Sequence, residues 1–195
     1  MGTRIVLASQ SPRRHQLMSE AGYSFEVVLP GENAECGICS KESTPELVAR
    51  LAFQKAADVA PRVEGTAIIV ACDTVADIMG RVLGKPEDRK HADEMLRLLS
   101  GREHSVYSGL CVLPVPGGEP IVKVEKSVLK MNELSEAEIE DYLDSEDWLG
   151  KSGAFGYQDG HPWLHLLSGT ADTVVGLPMA TLANVLSEVG DWPKA

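Results

Sequence analysis

At 195 residues, 44% of them hydrophobic, the chain is long enough to fill one well-packed core or two lobes flanking a cleft, and one compact domain over residues 1–195 is expected. Only 5% of the residues are aromatic, so aliphatic side chains and alanine must fill that core, as they do where helices cover a sheet. A formal net charge of −11 argues against non-specific affinity for nucleic acid or for an anionic membrane surface, but leaves room for a small anionic ligand where positive groups gather locally.

In chain order, Met1-Gly2-Thr3-Arg4-Ile5-Val6-Leu7 has too short an apolar run for a signal peptide, and no stretch approaches membrane-spanning length, so a cytoplasmic protein is expected. Ile5 to Ala8 predicts a short buried strand, and Ser11-Pro12 an N-cap and first helical position for a helix that runs to about Ala21 and stops at Gly22. Phe25 to Leu29 predicts a second strand, and Pro30 to Ser43 an exposed loop. The cysteines Cys36, Cys39, Cys72 and Cys111 are expected to be reduced. Cys36-Gly37-Ile38-Cys39 has no second pair to complete a zinc site, and is read as incidental thiols.

Thr44-Pro45 predicts another cap-and-proline start, and Leu47, Val48, Leu51, Ala52, Ala56 and Val59 trace one apolar helical face. Lys55 interrupts that face, so its ammonium must find an anion or water. Thr66 to Cys72 is the strongest buried strand, with Asp73 expected at its C-terminal end. Val75 to Leu83 predicts a hairpin turning at Met79-Gly80-Arg81, followed by Gly84-Lys85-Pro86. Asp88 then caps a helix closed by Gly101. Strands are expected over 104–115 and 120–131, joined through Gly117-Gly118, and Ser135 to Glu138 is a capping box for a helix through Leu143. A glycine-rich stretch over 145–160 leads to strands near Trp163 to Leu167 and Thr173 to Val175, and Pro178 starts a last helix that ends near Gly190.

Four features look wasteful unless they converge: Ser9-Gln10-Ser11-Pro12-Arg13-Arg14 between a strand and a helix start, Lys55 on an apolar face, Asp73 at a strand end, and Lys85 after a hairpin. A helix N-terminus with two adjacent arginines suits anions, and lysines add point charges for further phosphate oxygens. Carboxylates beside such cations, with Asp73 and Glu35 as candidates, would hold Mg²⁺ or deprotonate an attacking water. Each residue also has a plain alternative: a solvated arginine pair, a snorkelling lysine, an aspartate in a turn. His161 and His165 lack the helical spacing of a metal pair and are read as surface or packing groups.

Ile5 through Arg14 closely resembles the N-terminal signature of the Maf family of nucleotide pyrophosphatases. Cys72-Asp73-Thr74-Val75, Leu83-Gly84-Lys85-Pro86, Met95-Leu96 through Leu99-Ser100-Gly101, Gly153 to Gln158 and Val175-Gly176-Leu177-Pro178 resemble its later blocks, in order. The resemblance implies a Maf/ITPase-like α/β fold, with a mixed, twisted sheet flanked by helices and two lobes around a nucleotide-binding cleft. It implies Asp73 as the catalytic proton acceptor, Arg13, Thr74 and Gln158 in base or substrate choice, and Ser9, Arg14, Glu35, Lys55 and Lys85 among the phosphate and metal contacts. The Asp-Thr and Gly-x-Gln pattern resembles the branch that cleaves dTTP and UTP, whereas the 7-methyl-GTP branch carries Asp-Gln and Ser-Glu there. Departures from the family pattern are Ala76-Asp77, Tyr157 and His161-Pro162-Trp163.

The expected reaction is attack of an Asp73-activated water on the α-phosphorus, with Mg²⁺ or Mn²⁺ on the phosphates and pyrophosphate leaving. A homodimer is implied by the resemblance. So is a link to cell-division arrest, which as a regulatory nucleotide-binding role in septum formation is the competing function, beside cleavage of 7-methyl-GTP.

Overall fold

The computed structural model describes residues 4–32, 34 and 42–190; Glu35, Cys36 and Cys39 lie outside the described residues. Seven strands form one mixed sheet: β1 (Ile5–Leu7), β2 (Phe25–Val27), β3 (Ala67–Ile78), β4 (Arg81–Leu83), β5 (Glu103–Val115), β6 (Ile121–Met131) and β7 (Leu164–Ser168). Their order is β2-β1-β3-β5-β6-β7, with β4 beside β3. β1 runs parallel to β2 and β3, while β4 and β7 run antiparallel to β3 and β6. The helices are α1 (Pro12–Glu20), α2 (Thr44–Val59), α3 (Arg89–Leu99), α4 (Glu136–Asp144), α5 (Ala171–Val175) and α6 (Met179–Val189). Among the described residues no helix is long and apolar enough to cross a membrane. The chain divides into two compact units: residues 1–73, 108–125 and 176–195, and residues 74–107 and 126–175.

In the first unit the strands alternate strictly. Ile5, Leu7, Ile68, Val70, Cys72, Leu110 and Val112 pack with Met18 of α1 and with Leu182, Val185 and Val189 of α6. Their neighbours Val6, Ala8, Ala67, Ile69, Ala71 and Cys111 pack on the other face against Ala52, Ala56 and Val59 of α2. The sheet here is the middle of three layers, and the α2 side is lined largely by alanine. In the second unit Ala76, Ile78, Leu129, Met131 and Leu164 pack against Met95, Leu96 and Leu99 of α3 and against Ile139, Tyr142 and Leu143 of α4.

Local signals hold at most element ends. Asp88 accepts from the His91 N–H at 2.7 Å, and Ser135 and Glu138 form the expected capping box. Met79 and Gly80, both with positive φ, make the hairpin turn. Three expectations need correction. The cap of α2 is Ser43, one residue earlier, whose N–H and hydroxyl both donate to Glu46 at 2.7 Å. β3 does not end at Cys72 but continues to Ile78, so Asp73 lies inside a strand of 12 residues. Thr173 to Val175 is helix α5, because the Thr170 hydroxyl meets the Thr173 hydroxyl at 2.8 Å and turns the chain there.

Gly109 on β5 shows how closely α2 lies on the sheet. A Cβ there would overlap the Val48 carbonyl and stand 2.8 Å from the Ala49 nitrogen, both backbone atoms that cannot swing aside. Gly109→Ala is expected to cost about 3 kcal/mol or more of unfolding free energy, read from urea unfolding. An unchanged midpoint would mean that α2 can lift off without loss.

His104, 3% exposed and edge-on to Phe155 at 5.0 Å between ring centroids, lies in the second unit's core. Burial pushes its imidazole down from the usual 6.5 to about 4, so it is neutral at neutral pH. Its contribution is complete above about pH 6.5 and is lost as pH falls toward 4, because only the unfolded chain then takes up the proton; the span is worth about 3 kcal/mol. Thermal melts from pH 7.5 to 4.5 should fall more steeply for wild type than for His104→Phe, and parallel curves would contradict this account.

Candidate active site

β1 and β3 are parallel neighbours with Leu7 opposite Val70, so the chain leaves β1 through Ser9-Gln10-Ser11 at the end of the sheet that Cys72 and Asp73 approach. Ser9 is 3% exposed, and its hydroxyl organises the turn by accepting from the Ser11 N–H at 3.1 Å and the Arg14 guanidinium at 3.3 Å. Arg14 also donates through Nε to the Gly176 carbonyl at 2.8 Å. The side chain of Ser11 does not cap α1, whose first turn carries Pro12 and the half-buried Arg13 and Arg14.

Asp73 sits on the α2 side of β3 by the same alternation that sends Ile69 and Ala71 there. Lys55, on the inward stripe of α2, answers it: its Nζ donates to Asp73 Oδ1 at 2.6 Å, and the two side chains are 9% and 11% exposed. This is the anion the sequence required for Lys55. The second oxygen, Oδ2, is buried with no hydrogen-bond partner among the described residues. An unsatisfied buried acceptor costs about 1–3 kcal/mol, more when charged, so this oxygen is primed to accept from a water or to bind a cation.

In the second unit, Thr74, Lys85 and Gln158 stand on segments tied together. The Thr74 carbonyl accepts from the Ser152 hydroxyl at 3.1 Å, and the Gly84 carbonyl, one residue before the exposed Lys85, accepts from the Gly153 N–H at 2.9 Å. The loop continues through two 3-10 turns, Ser152–Ala154 and Tyr157–Asp159, with Gln158 exposed on the second. Asp73 and Thr74 are consecutive on β3, so their side chains leave opposite faces of the strand.

The match to the family model described as "Maf-like protein" runs over residues 4–189. The chain belongs to this family. Among its Maf-like relatives, the dTTP/UTP pyrophosphatase of Rhodopirellula baltica is 50% identical over 183 residues, covering 93% of this chain and 80% of the relative. The dTTP/UTP pyrophosphatase of Dictyoglomus thermophilum is 39% identical over 191 residues, covering 97% and 98%. Of solved structures, a HAM1 protein from Coxiella burnetii matches with a TM-score of 0.51 at 16% identity, over 96% of this chain and all of that one, which is a likeness of fold.

Several contacts of these residues escaped sequence reading. The Lys55 to Asp73 pair joins positions 18 residues apart on different elements, a separation that no periodicity reports. Ser152, the Gly176 carbonyl and the Lys151 to Asp159 ion pair were not singled out; for the last, the only signal was an opposite-charge pair bracketing a glycine-rich run. His161 proves to be a packing group, stacked on Trp163 at 4.7 Å between ring centroids. Cys111, buried in the first unit, has its thiol pushed up to about 12 and is inert.

Lys55→Met leaves Asp73 buried without its cation and should destabilise the protein by about 3–5 kcal/mol. Lys55→Met with Asp73→Leu removes both charges and should recover most of that loss. Urea unfolding of these two variants and of Asp73→Leu alone decides it: a double variant as unstable as the sum of the two single ones would show that the pair is not coupled.

Proposed function

We propose that this chain hydrolyses nucleoside triphosphates, dTTP and UTP foremost, to the monophosphate and pyrophosphate. The observation that carries the reading is the carboxylate of Asp73, held by Lys55 through one oxygen and lacking a partner on the other, at the sheet end where the Ser9 to Arg14 turn begins. The substrate class is supported by the relatives' names, those of dTTP/UTP pyrophosphatases.

Lys55 fixes Asp73 Oδ1 and leaves Oδ2 to take a proton from water. The water oxygen forms a bond to the α-phosphorus as the bridging bond to the β-phosphate oxygen breaks, and pyrophosphate departs with the electron pair. Ser9, Arg13, Arg14 and Lys85 take roles on the phosphate oxygens, with the first turn of α1 adding its helix-terminal field. Thr74 and Gln158, with Arg13, take part in base choice. Most of the acceleration comes from positioning and from cancelling charge that grows in the transition state.

A divalent cation, Mg²⁺ or Mn²⁺, fits the orphaned Oδ2 of Asp73, which would hold it; Glu35, the second carboxylate implied by the resemblance, lies outside the described residues. Such an ion takes one or two carboxylates and completes its shell with substrate phosphates and water. When bound, the cation would supply charge neutralisation on the phosphates.

Pyrophosphate release should be robust with Mg²⁺ or Mn²⁺, favour dTTP and UTP over CTP, GTP and 7-methyl-GTP, and drop by about 10²- to 10⁴-fold in Asp73→Asn. Folded Asp73→Asn protein working within a few-fold of wild type would remove Asp73 from the chemistry, and no release from any nucleotide would favour the regulatory role.

A further inference from the structure

The loop from Lys151 to Gly160 closes on itself. Lys151 Nζ is ion-paired with Asp159 Oδ2, and the two side chains are only 12% and 21% exposed although their loop lies at the surface. The pair passes over Gly156, where a Cβ would overlap Asp159 Oδ2 and stand 2.7 Å from Lys151 Nζ. A side chain at 156 would therefore have to push the two charged tips aside, while the backbone there, φ −123 and ψ 118, is open to any residue. The loop's first half is anchored by the bonds from Ser152 to the Thr74 carbonyl and from Gly153 to the Gly84 carbonyl. Its second half, which presents Gln158, is drawn back to the first by the charge pair.

We infer that the Lys151 to Asp159 ion pair is a positioning device for base selection, holding the loop backbone around Gln158 in register with a pyrimidine edge. The inference rests on the pyrophosphatase reading above. Its physical ground is the ambiguity of a glutamine amide, which carries an acceptor on one side and a donor on the other. Uracil and thymine present a ring N–H donor beside a carbonyl acceptor, whereas cytosine presents a ring nitrogen acceptor beside an amino donor. A half-turn of the amide exchanges the complement of one for that of the other, so an exposed Gln158 on a loose loop cannot discriminate. Backbone N–H and C=O groups cannot flip in this way. A loop held in place offers both a fixed backbone reader and one amide orientation, and rejection then comes from polar groups left unpaired with the wrong base.

Asp159 and Lys151 are positioning residues here, and the readout is a preference rather than a rate. Steady-state kcat and KM for UTP and for CTP would be measured on the whole protein with Mg²⁺, for wild type, Lys151→Met, Asp159→Asn, the double variant, Lys151→Arg and Gln158→Ala. Lys151→Met and Asp159→Asn should each lower the kcat/KM preference for UTP over CTP by about tenfold, mostly through a higher KM for UTP. The double variant should lose no more than either single one, and Lys151→Arg should keep the preference.

Melting temperatures within about 3 °C of wild type would separate this effect from general loosening. Should Lys151→Met not fold, Lys151→Gln takes its place. A preference within about twofold of wild type in both single variants overturns the inference, whatever Gln158→Ala does. A preference lost in those variants but kept in Gln158→Ala upholds the ion pair and moves base reading to the backbone. Wild-type protein that cleaves neither nucleotide overturns the pyrophosphatase reading and this inference together.

Discussion

The arrangement of the first unit turns on one buried charge pair, Lys55 of α2 with Asp73 of β3 at 2.6 Å. For a lysine on a helix to reach a carboxylate on a strand in a nearly dry layer, the helix must lie close to the sheet. The layer between them is built accordingly: Ala8, Ala52, Ala56, Ala67 and Ala71 face one another where the opposite layer uses leucine, isoleucine, valine and methionine. Gly109 goes further, leaving no Cβ where β5 passes beneath the Val48 carbonyl. Small residues bring the helix in, and closeness in turn keeps water from the pair.

Stability alone does not explain such a pair. Two ions lose their hydration on burial, and well-packed hydrophobic residues in their place are often as stable or more so. The pair is also incompletely satisfied, since among the described residues Asp73 Oδ2 has no partner while Oδ1 has a cation. That asymmetry is costly in a purely structural ion pair and useful in a reactive one. The lysine orients the carboxylate and leaves one oxygen open to a ligand, a water or a metal.

Much of this was legible in the sequence because it is written locally. The caps at Asp88 and Ser135, the turn at Met79-Gly80 and the apolar stripe of α2 each depend on residues within one or two turns of chain. The oddity of Lys55 was legible too, as a charge on a face that should be apolar. Its partner was not, because the link runs between elements. The end of β3 was misplaced for a related reason. A polar residue after six apolar ones looks like a strand end, but Asp73 is satisfied by Lys55, and Asp77 accepts from the Gly80 N–H at 3.1 Å, so the strand carries both carboxylates without breaking. At Thr173 to Val175 the β-branched composition argued for a strand, and the hydroxyl contact from Thr170 overrode it.

The departures from the Maf pattern fall in the second unit, and the structure gives most of them a local task. Asp77 holds the β3 to β4 turn through the Gly80 N–H, and His161 and Trp163 form a stack edge-on to Tyr142 that walls the end of the glycine-rich loop. Asp73 belongs to the first unit, where Lys55 of α2 holds it beside the alanine layer. On the function proposed above, base preference would be tuned through the loop's supports at Thr74 and Gly84, and the reacting carboxylate through Lys55.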